Sequence, residues 1–324
     1  MNASRVGRWA AGVMAVTLAC QSTLAWAATV AYWRFEEGPA DADVSKGGTS
    51  DGEFYPAVLD VSGNGNHLSA WSQGGFAGYA YRTSVPAPIV PQTGAANNFS
   101  VQNTGGLPGM FTQTGAPIQK IEPAAFTIEV SVMPENGDYR TYVGRDSQGS
   151  VTGDEALAAL YLQRTTEDRL AIKFCDVSGY WHHAISDAGV FPGFQWPNVH
   201  EGRWYNIAAV SDGRFLSLYL DDVEAGTGYQ LVAQTDMSLS GSPDTALTSG
   251  QGDGSDWDAG NWSVGRGLFE GKHTDRGYGF IDEVRISDTA LSVDEFLFAP
   301  EPGSALGLIL LAGILAGRRK NVLK

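Results

Sequence analysis

Apolar residues in this 324-residue chain come in short runs of period two, separated by glycine-rich turns. Phe126 to Met133 is the clearest run. Phe126, Ile128, Val130 and Val132 fall on one side, the spacing of a strand with one buried face. Thr29 to Phe35 alternates in the same way. Ala156 to Gln163 and Leu170 to Phe174 predict a strand pair, and Asn261 to Gly265 and Tyr278 to Ile286 the last two strands. Trp204 to Val210 and Phe215 to Leu220 enclose Ser211-Asp212-Gly213. Asp-Gly between two β-prone runs marks a hairpin, and Leu216, Leu218 and Leu220 share one face of its second strand. Residues 72–120, rich in Gly, Pro, Thr and Asn, predict long loops carrying short strands. Asp288 to Phe298 is the one convincing short helix before Pro300. With 41 glycines placed mostly between these runs, the pattern predicts an all-β domain.

The two ends break this pattern. Arg5 and Arg8 precede an apolar run from Trp9 to Ala19, and Ala25-Trp26-Ala27 has the small-x-small form of a signal-peptidase site. The expectation is a signal peptide over residues 1–27, cleaved between Ala27 and Ala28. Leu18-Ala19-Cys20 offers lipidation as an alternative, with Thr17 where that motif has leucine. At the other end, Pro300-Glu301-Pro302 leads into a charge-free stretch from Gly303 to Gly317, then Arg318-Arg319-Lys320. The stretch is 15 residues long, and a stable span needs about 20. Its basic end stays on the cytoplasmic side by the positive-inside rule.

This order of parts resembles the PEP-CTERM sorting signal of Gram-negative bacteria. The resemblance implies an exosortase-type transpeptidase as a partner, recognising Pro300, Glu301 and Pro302 and removing the tail. It also implies a cell-surface or extracellular destination, with residues 304–317 held transiently in the inner membrane. An ordinary tail anchor or a buried amphipathic helix is the alternative. The expected organisation is a signal peptide (1–27), one domain (28–299) and a sorting segment (300–324).

The chain carries a net charge of -15. Its ends hold six of the 21 basic residues and one of the 36 acids, so residues 28–300 carry 15 bases against 35 acids. Such a surface repels nucleic acid and anionic lipid, and suits calcium, cationic partners or neutral glycans. Beyond the signal only Cys175 remains, so no intramolecular disulfide forms. An exported domain without that staple rests on its own core, with calcium the expected substitute for rigidity.

Several segments, in order, resemble one family. Tyr32 to Gly38 is similar to its opening strand, and Asp60-Val61-Ser62-Gly63-Asn64-Gly65-Asn66-His67 to its most recognisable turn. Phe126 to Val132 resembles a further strand, with Val130 where tryptophan is common. Gly202 to Ala208 with Leu216 to Asp221 resembles the central hairpin. Gly279 to Ile286, then Ala290-Leu291-Ser292, resembles the closing strand and helix. The family is the LamG-like jelly roll of the concanavalin A-like lectin/glucanase superfamily. It implies a two-sheet antiparallel jelly-roll sandwich whose first and last strands pair, bringing Trp33 to Glu37 near Ile281 to Ile286.

Glycanases of this superfamily carry Glu-x-Asp-x-x-Glu on one strand, giving an acid and a nucleophile about 5 Å apart. No glutamate here has an aspartate two residues later, so the expectation is a non-catalytic protein. Calcium takes six to eight oxygens. Asp60, Asn64 and Asn66 offer side-chain oxygens in a turn that in related jelly rolls meets the closing-strand acid, here Asp282. Asp253, Asp256 and Asp258 form a second acidic loop. The alternative is that Asp60 merely caps its turn while Asp282 pairs with Arg34 or Arg285. Trp33, Trp204 and Trp262 lie in predicted strands and belong to the core. Trp71, Trp181, Trp196 and Trp257 lie in predicted loops. Trp181, His182 and Trp196 are the carbohydrate-binding candidates, since exposed aromatics beside polar groups suit sugar faces. The leading expectation is a surface protein binding a polysaccharide or matrix glycan through its loops. A purely structural, calcium-stiffened surface protein and a glycan-active enzyme with an unrecognised site are the alternatives.

Overall fold

The computed structural model describes residues 29–44, 56–71, 78–113, 115–148, 157–250 and 259–300. The expected signal peptide with its cleavage site at Ala27 and Ala28, the tail from Glu301 and Pro302 onward, and the Asp253–Asp258 loop lie outside the described residues. Among the described residues no helix is long and apolar enough to cross a membrane.

The strands in chain order are β1 (Thr29–Trp33), β2 (Leu68–Trp71), β3 (Tyr79–Arg82), β4 (Ile89–Val90), β5 (Ala95–Ala96), β6 (Ser100–Asn103), β7 (Gly109–Thr112), β8 (Phe126–Pro134), β9 (Arg140–Arg145), β10 (Leu160–Thr165), β11 (Arg169–Cys175), β12 (Trp181–Ile185), β13 (Tyr205–Ser211), β14 (Phe215–Asp222), β15 (Gln230–Asp236), β16 (Trp262–Val264), β17 (Gly267–Phe269), β18 (Lys272–Thr274) and β19 (Gly279–Ser287). Eight form one sheet, ordered β15-β14-β13-β8-β19-β6-β3 with β1 also paired to β19. Seven form the second, ordered β12-β11-β10-β9-β16-β7-β2. All pairings within both sheets are antiparallel.

Period-two alternation puts one side of each strand between the sheets. Ile128, Val130 and Val132 of β8, Ile207 and Ala209 of β13, and Leu216 and Leu218 of β14 are buried from one side. Leu160 and Leu162 of β10 and Leu170, Ile172 and Phe174 of β11 meet them from the other. Such sheets stack about 10 Å apart. Phe126 and Phe174 touch edge to face across the gap, with ring centroids 5.3 Å apart. Trp33 and Trp262 are fully buried, and Trp204 packs with Met133, Phe194 and Phe280. The first and last strands do pair, with Trp33 opposite Val284 and Tyr32 opposite Arg285.

The outer faces differ. Residues 288–300 run across the outside of the eight-stranded sheet, where Leu291, Phe296 and Ala299 pack on Ala208 and Val210. Leu297 packs instead with Tyr32 and Val90. This segment is not the expected helix, and only Val293–Glu295 makes a 3-10 turn, closed by a capping box between Ser292 and Glu295. Side chains 296 and 297 are drawn into different apolar patches, and the Leu297 N–H donates to buried Glu129 at 2.6 Å. Those tertiary contacts override the local helix preference. The outer face of the seven-stranded sheet has no such covering segment among the described residues and carries the groove described next.

Candidate functional site: a groove on the seven-stranded sheet

In β10, β11 and β12, polar and aromatic residues are among those turned away from the core. Tyr161 stands opposite Lys173, and Lys173 opposite His183, giving one row across three strands. Gln163, Ala171 and Ile185 form the next row. Trp181 begins β12, opposite Cys175. Its ring lies 6.2 Å from that of Tyr161 with 26° between planes, a stacked pair. These side chains floor a groove of about 570 Å³, walled by Tyr139, Leu157, Phe269 and Asp275. A second hollow of about 410 Å³ shares Tyr139, Lys173 and Ile185 and adds Thr165, Arg169 and Asp187.

The floor is held in place by its own polar contacts. The Tyr161 hydroxyl donates to the Leu268 carbonyl at 2.5 Å and accepts from the Ala158 N–H at 2.8 Å, tying β10 to the β17–β18 hairpin. The turn into Trp181 is set by Asp176, whose Oδ1 accepts from the N–H groups of Ser178 and Tyr180. Gly179 takes φ 84° there, open to glycine at little cost. Asp176 Oδ2 lies 2.7 Å from His182 Nε2. Burial pushes the Asp275 carboxyl above its usual range, against the pull of Arg140 and Arg276.

The three carbohydrate candidates therefore separate. Trp181 lines the groove, but from a strand rather than a loop. His182 borders it, yet its side chain is 1% exposed, turned inward onto Asp176 and Phe174. Strand alternation requires this, because His182 and Ala184 face the core while Trp181, His183 and Ile185 face out. His183 thus takes the place expected of His182. Trp196 is 55% exposed and lines neither hollow. Tyr161, Gln163 and Lys173 were not singled out in the sequence. Their signal was the alternation itself, with Tyr161 between Leu160 and Leu162, and Lys173 between Ile172 and Phe174.

The expected calcium donors are also parted. Asp60 Oδ1 accepts from the N–H groups of Tyr32 and Ser62, and Oδ2 from that of Asn66, each at 2.9 Å. Asn66 Oδ1 accepts from the Ile118 N–H, and its amide donates to the Val30 carbonyl. The Asn64 amide donates to the Thr29 and Val30 carbonyls. Three N–H donors satisfy the Asp60 carboxylate, so this turn as arranged does not fit an ion shared with Asp282. Asp282 accepts instead from the Asn97 amide and the Glu283 N–H, both at 2.9 Å. Asn97 Oδ1, on a side chain 3% exposed, has no partner. Burial and the neighbouring Glu283 hold Asp282 well above the usual carboxylate range. Glu283, at φ 46° in a bulge of β19, is the residue that pairs with Arg34 at 2.8 Å, while Arg285 pairs with Glu129. Among the described residues, no group of three or more His, Cys, Asp or Glu is placed to hold a metal.

A two-sheet antiparallel sandwich with an aromatic groove on one sheet face defines a lectin-like jelly roll. Residues 111–296, more than half of the chain, match the family described as the Concanavalin A-like lectin/glucanases superfamily, and the chain belongs to it. No curated protein matches the sequence. Among solved structures, the chain is similar to the Ruminococcus gnavus IT-sialidase CBM40, with 15% identity over 57% of this chain and 85% of that one, TM-score 0.40. It is also similar to the binding domain of botulinum neurotoxin serotype G, with 9% identity over 82% and 49%, TM-score 0.45. A third similarity is to the binding domain of Paraclostridial Mosquitocidal Protein 1, with 14% identity over 83% and 51%, TM-score 0.45. The chain spans about half the length of the two toxin domains.

Proposed function

We propose that this protein is a non-catalytic, exported carbohydrate-binding jelly roll that holds a polysaccharide in the groove of its seven-stranded sheet. The observation that carries this is the stacked Trp181–Tyr161 pair flooring a 570 Å³ hollow edged by Gln163, Lys173, His183 and Asp275. Pockets for small ligands combine an apolar floor with a few placed polar groups in this way. Non-catalytic action is supported by the lining of that hollow, where Asp275 is the one carboxylate among the described residues, whereas glycoside hydrolysis uses two. A glycan-array screen of the purified protein, with parallel hydrolysis assays on the glycans it retains, tests both halves of this reading. Retention of no glycan at all rejects binding, and turnover rejects the non-catalytic half.

Sorting belongs to the proposal too, motivated by the Pro300-Glu301-Pro302 tail and its basic end. Surface-associated protein is expected to lack Arg318-Arg319-Lys320. Intact tail peptides in mass spectra of surface material would count against it.

A structural calcium stays in the proposal on the acid excess of residues 28–300, 35 acids against 15 bases, and not on a formed set of ligands. At about 100 times its dissociation constant, calcium adds roughly 2.7 kcal/mol of stability. The melting temperature is expected to be higher in millimolar calcium than in EDTA. Equal melting temperatures for the unmodified protein in the two buffers would remove calcium from the proposal.

A further inference from the structure

Lys173 sits where the two hollows meet, lining both. Its cross-strand neighbours are Tyr161 and His183, which give its ammonium no opposite charge. Among the described residues the Lys173 side chain makes no hydrogen bond or ion pair. The nearby arginines direct hydrogen bonds to other groups, although Arg140 Nε has no partner among the described residues. Arg169 is held by Glu167 at 2.8 Å and by the Ser186 carbonyl at 2.9 Å. Arg140 donates to the carbonyls of Asn136 and Asp138. The groove's acids stand in separate hollows, Asp275 in the larger and Asp187 in the smaller, and neither pairs with Lys173.

Acids outnumber bases 36 to 21 and each hollow carries one carboxylate, yet Lys173 pairs with neither, so its ammonium is an open position for an external anion. Exposed lysines on convex surface are solvated and carry no such meaning. Lys173 is half-buried between aromatic and apolar side chains, where water screens a charge less and a charge-assisted hydrogen bond gains more.

We infer that the groove takes an acidic glycan, with one sugar against Trp181 and the carboxylate or sulfate of the same or the next sugar at Lys173. This rests on the carbohydrate reading and narrows it. It also reverses, for this one site, the expectation of neutral ligands that the overall charge suggests.

The test titrates the full-length chain with three classes of oligosaccharide of matched length. Alginate and pectate fragments carry uronates, carrageenan fragments carry sulfates, and dextran and xylan fragments are neutral. At least one acidic class is expected to bind about tenfold or more tighter than every neutral one. That preference should shrink as salt rises from about 50 to about 500 mM. Lys173→Gln should reduce the preference to about twofold or less with the melting temperature unchanged, because among the described residues this ammonium makes no hydrogen bond or ion pair. The uronate and sulfate arms show which anion the site accepts. A neutral fragment bound as tightly as any acidic one, or a preference that survives Lys173→Gln, overturns this inference and leaves the carbohydrate reading standing. Binding to no glycan of any class overturns both.

Discussion

Trp181→Ala is expected to weaken glycan binding about a hundredfold, or ~2.7 kcal/mol, the range of an aromatic anchor at the centre of a binding site. The indole is backed by Tyr161, whose hydroxyl is pinned between the Leu268 carbonyl and the Ala158 N–H, so the platform is formed before ligand arrives. A preformed surface spends little of its contact energy on ordering itself. Trp181→Phe should keep part of the affinity. Trp196→Ala should change affinity by no more than about twofold, because that side chain lines neither hollow. Folding should be barely disturbed by either alanine, since Trp181 is half-buried on an edge strand and Trp196 is mostly exposed. The measurement is a paired titration and melting curve for each variant. Equal affinity losses for Trp181→Ala and Trp196→Ala would move the site away from the seven-stranded sheet.

Asp60→Ala should be strongly destabilising. One carboxylate accepts three backbone N–H groups, and those of Tyr32 and Asn66 are buried. Each buried donor left without an acceptor costs about 1–3 kcal/mol, so the total is about 3–5 kcal/mol after some relaxation. For a domain of this size that lowers the melting temperature by roughly 10 °C or more. The loss should be the same in EDTA and in calcium, because the oxygens serve the backbone of β1 and of the turn. Asp60→Asn retains one acceptor oxygen and should cost less. A loss seen only in calcium would restore Asp60 as a metal ligand.

The two roles weighed for Asp60 differ in what a sequence displays. An acid in Asp-Val-Ser-Gly-Asn-Gly-Asn announces a turn, but not whether its oxygens face an ion or the N–H groups of a strand 28 residues earlier. Strands were legible where burial on one face forces strict alternation. Phe126 to Met133 and the hairpin about Asp212-Gly213 pair as their patterns require, with Ala209 opposite both Leu218 and Ile128. Core tryptophans 33 and 262 were legible for the same reason, whereas Trp204 precedes β13 and is buried in a separate cluster with Met133, Phe194 and Phe280. The groove was not, because Tyr161, Lys173 and His183 come from three separate runs and meet only through cross-strand register. A search for sugar-binding aromatics in loops finds Trp196 and misses Tyr161. It also picks His182 rather than His183, although a strand sends neighbours to opposite faces. The helix expected over 288–298 shortens to one 3-10 turn because Phe296 and Leu297 are drawn into different apolar patches.

The segment 288–300 also gives the molecule a front and a back. It leaves the sandwich over the eight-stranded sheet, where Phe296 and Ala299 are seated, while the groove opens on the opposite sheet. Whatever is joined beyond Ala299 is separated from a bound glycan by both sheets, stacked about 10 Å apart, and by the side chains outside them. A protein tethered through that end would hold its tether and its sugar on opposite sides, like a rivet between two layers. Crowding at the tethered surface would then leave the groove unobstructed, and many copies side by side would present their grooves outward together.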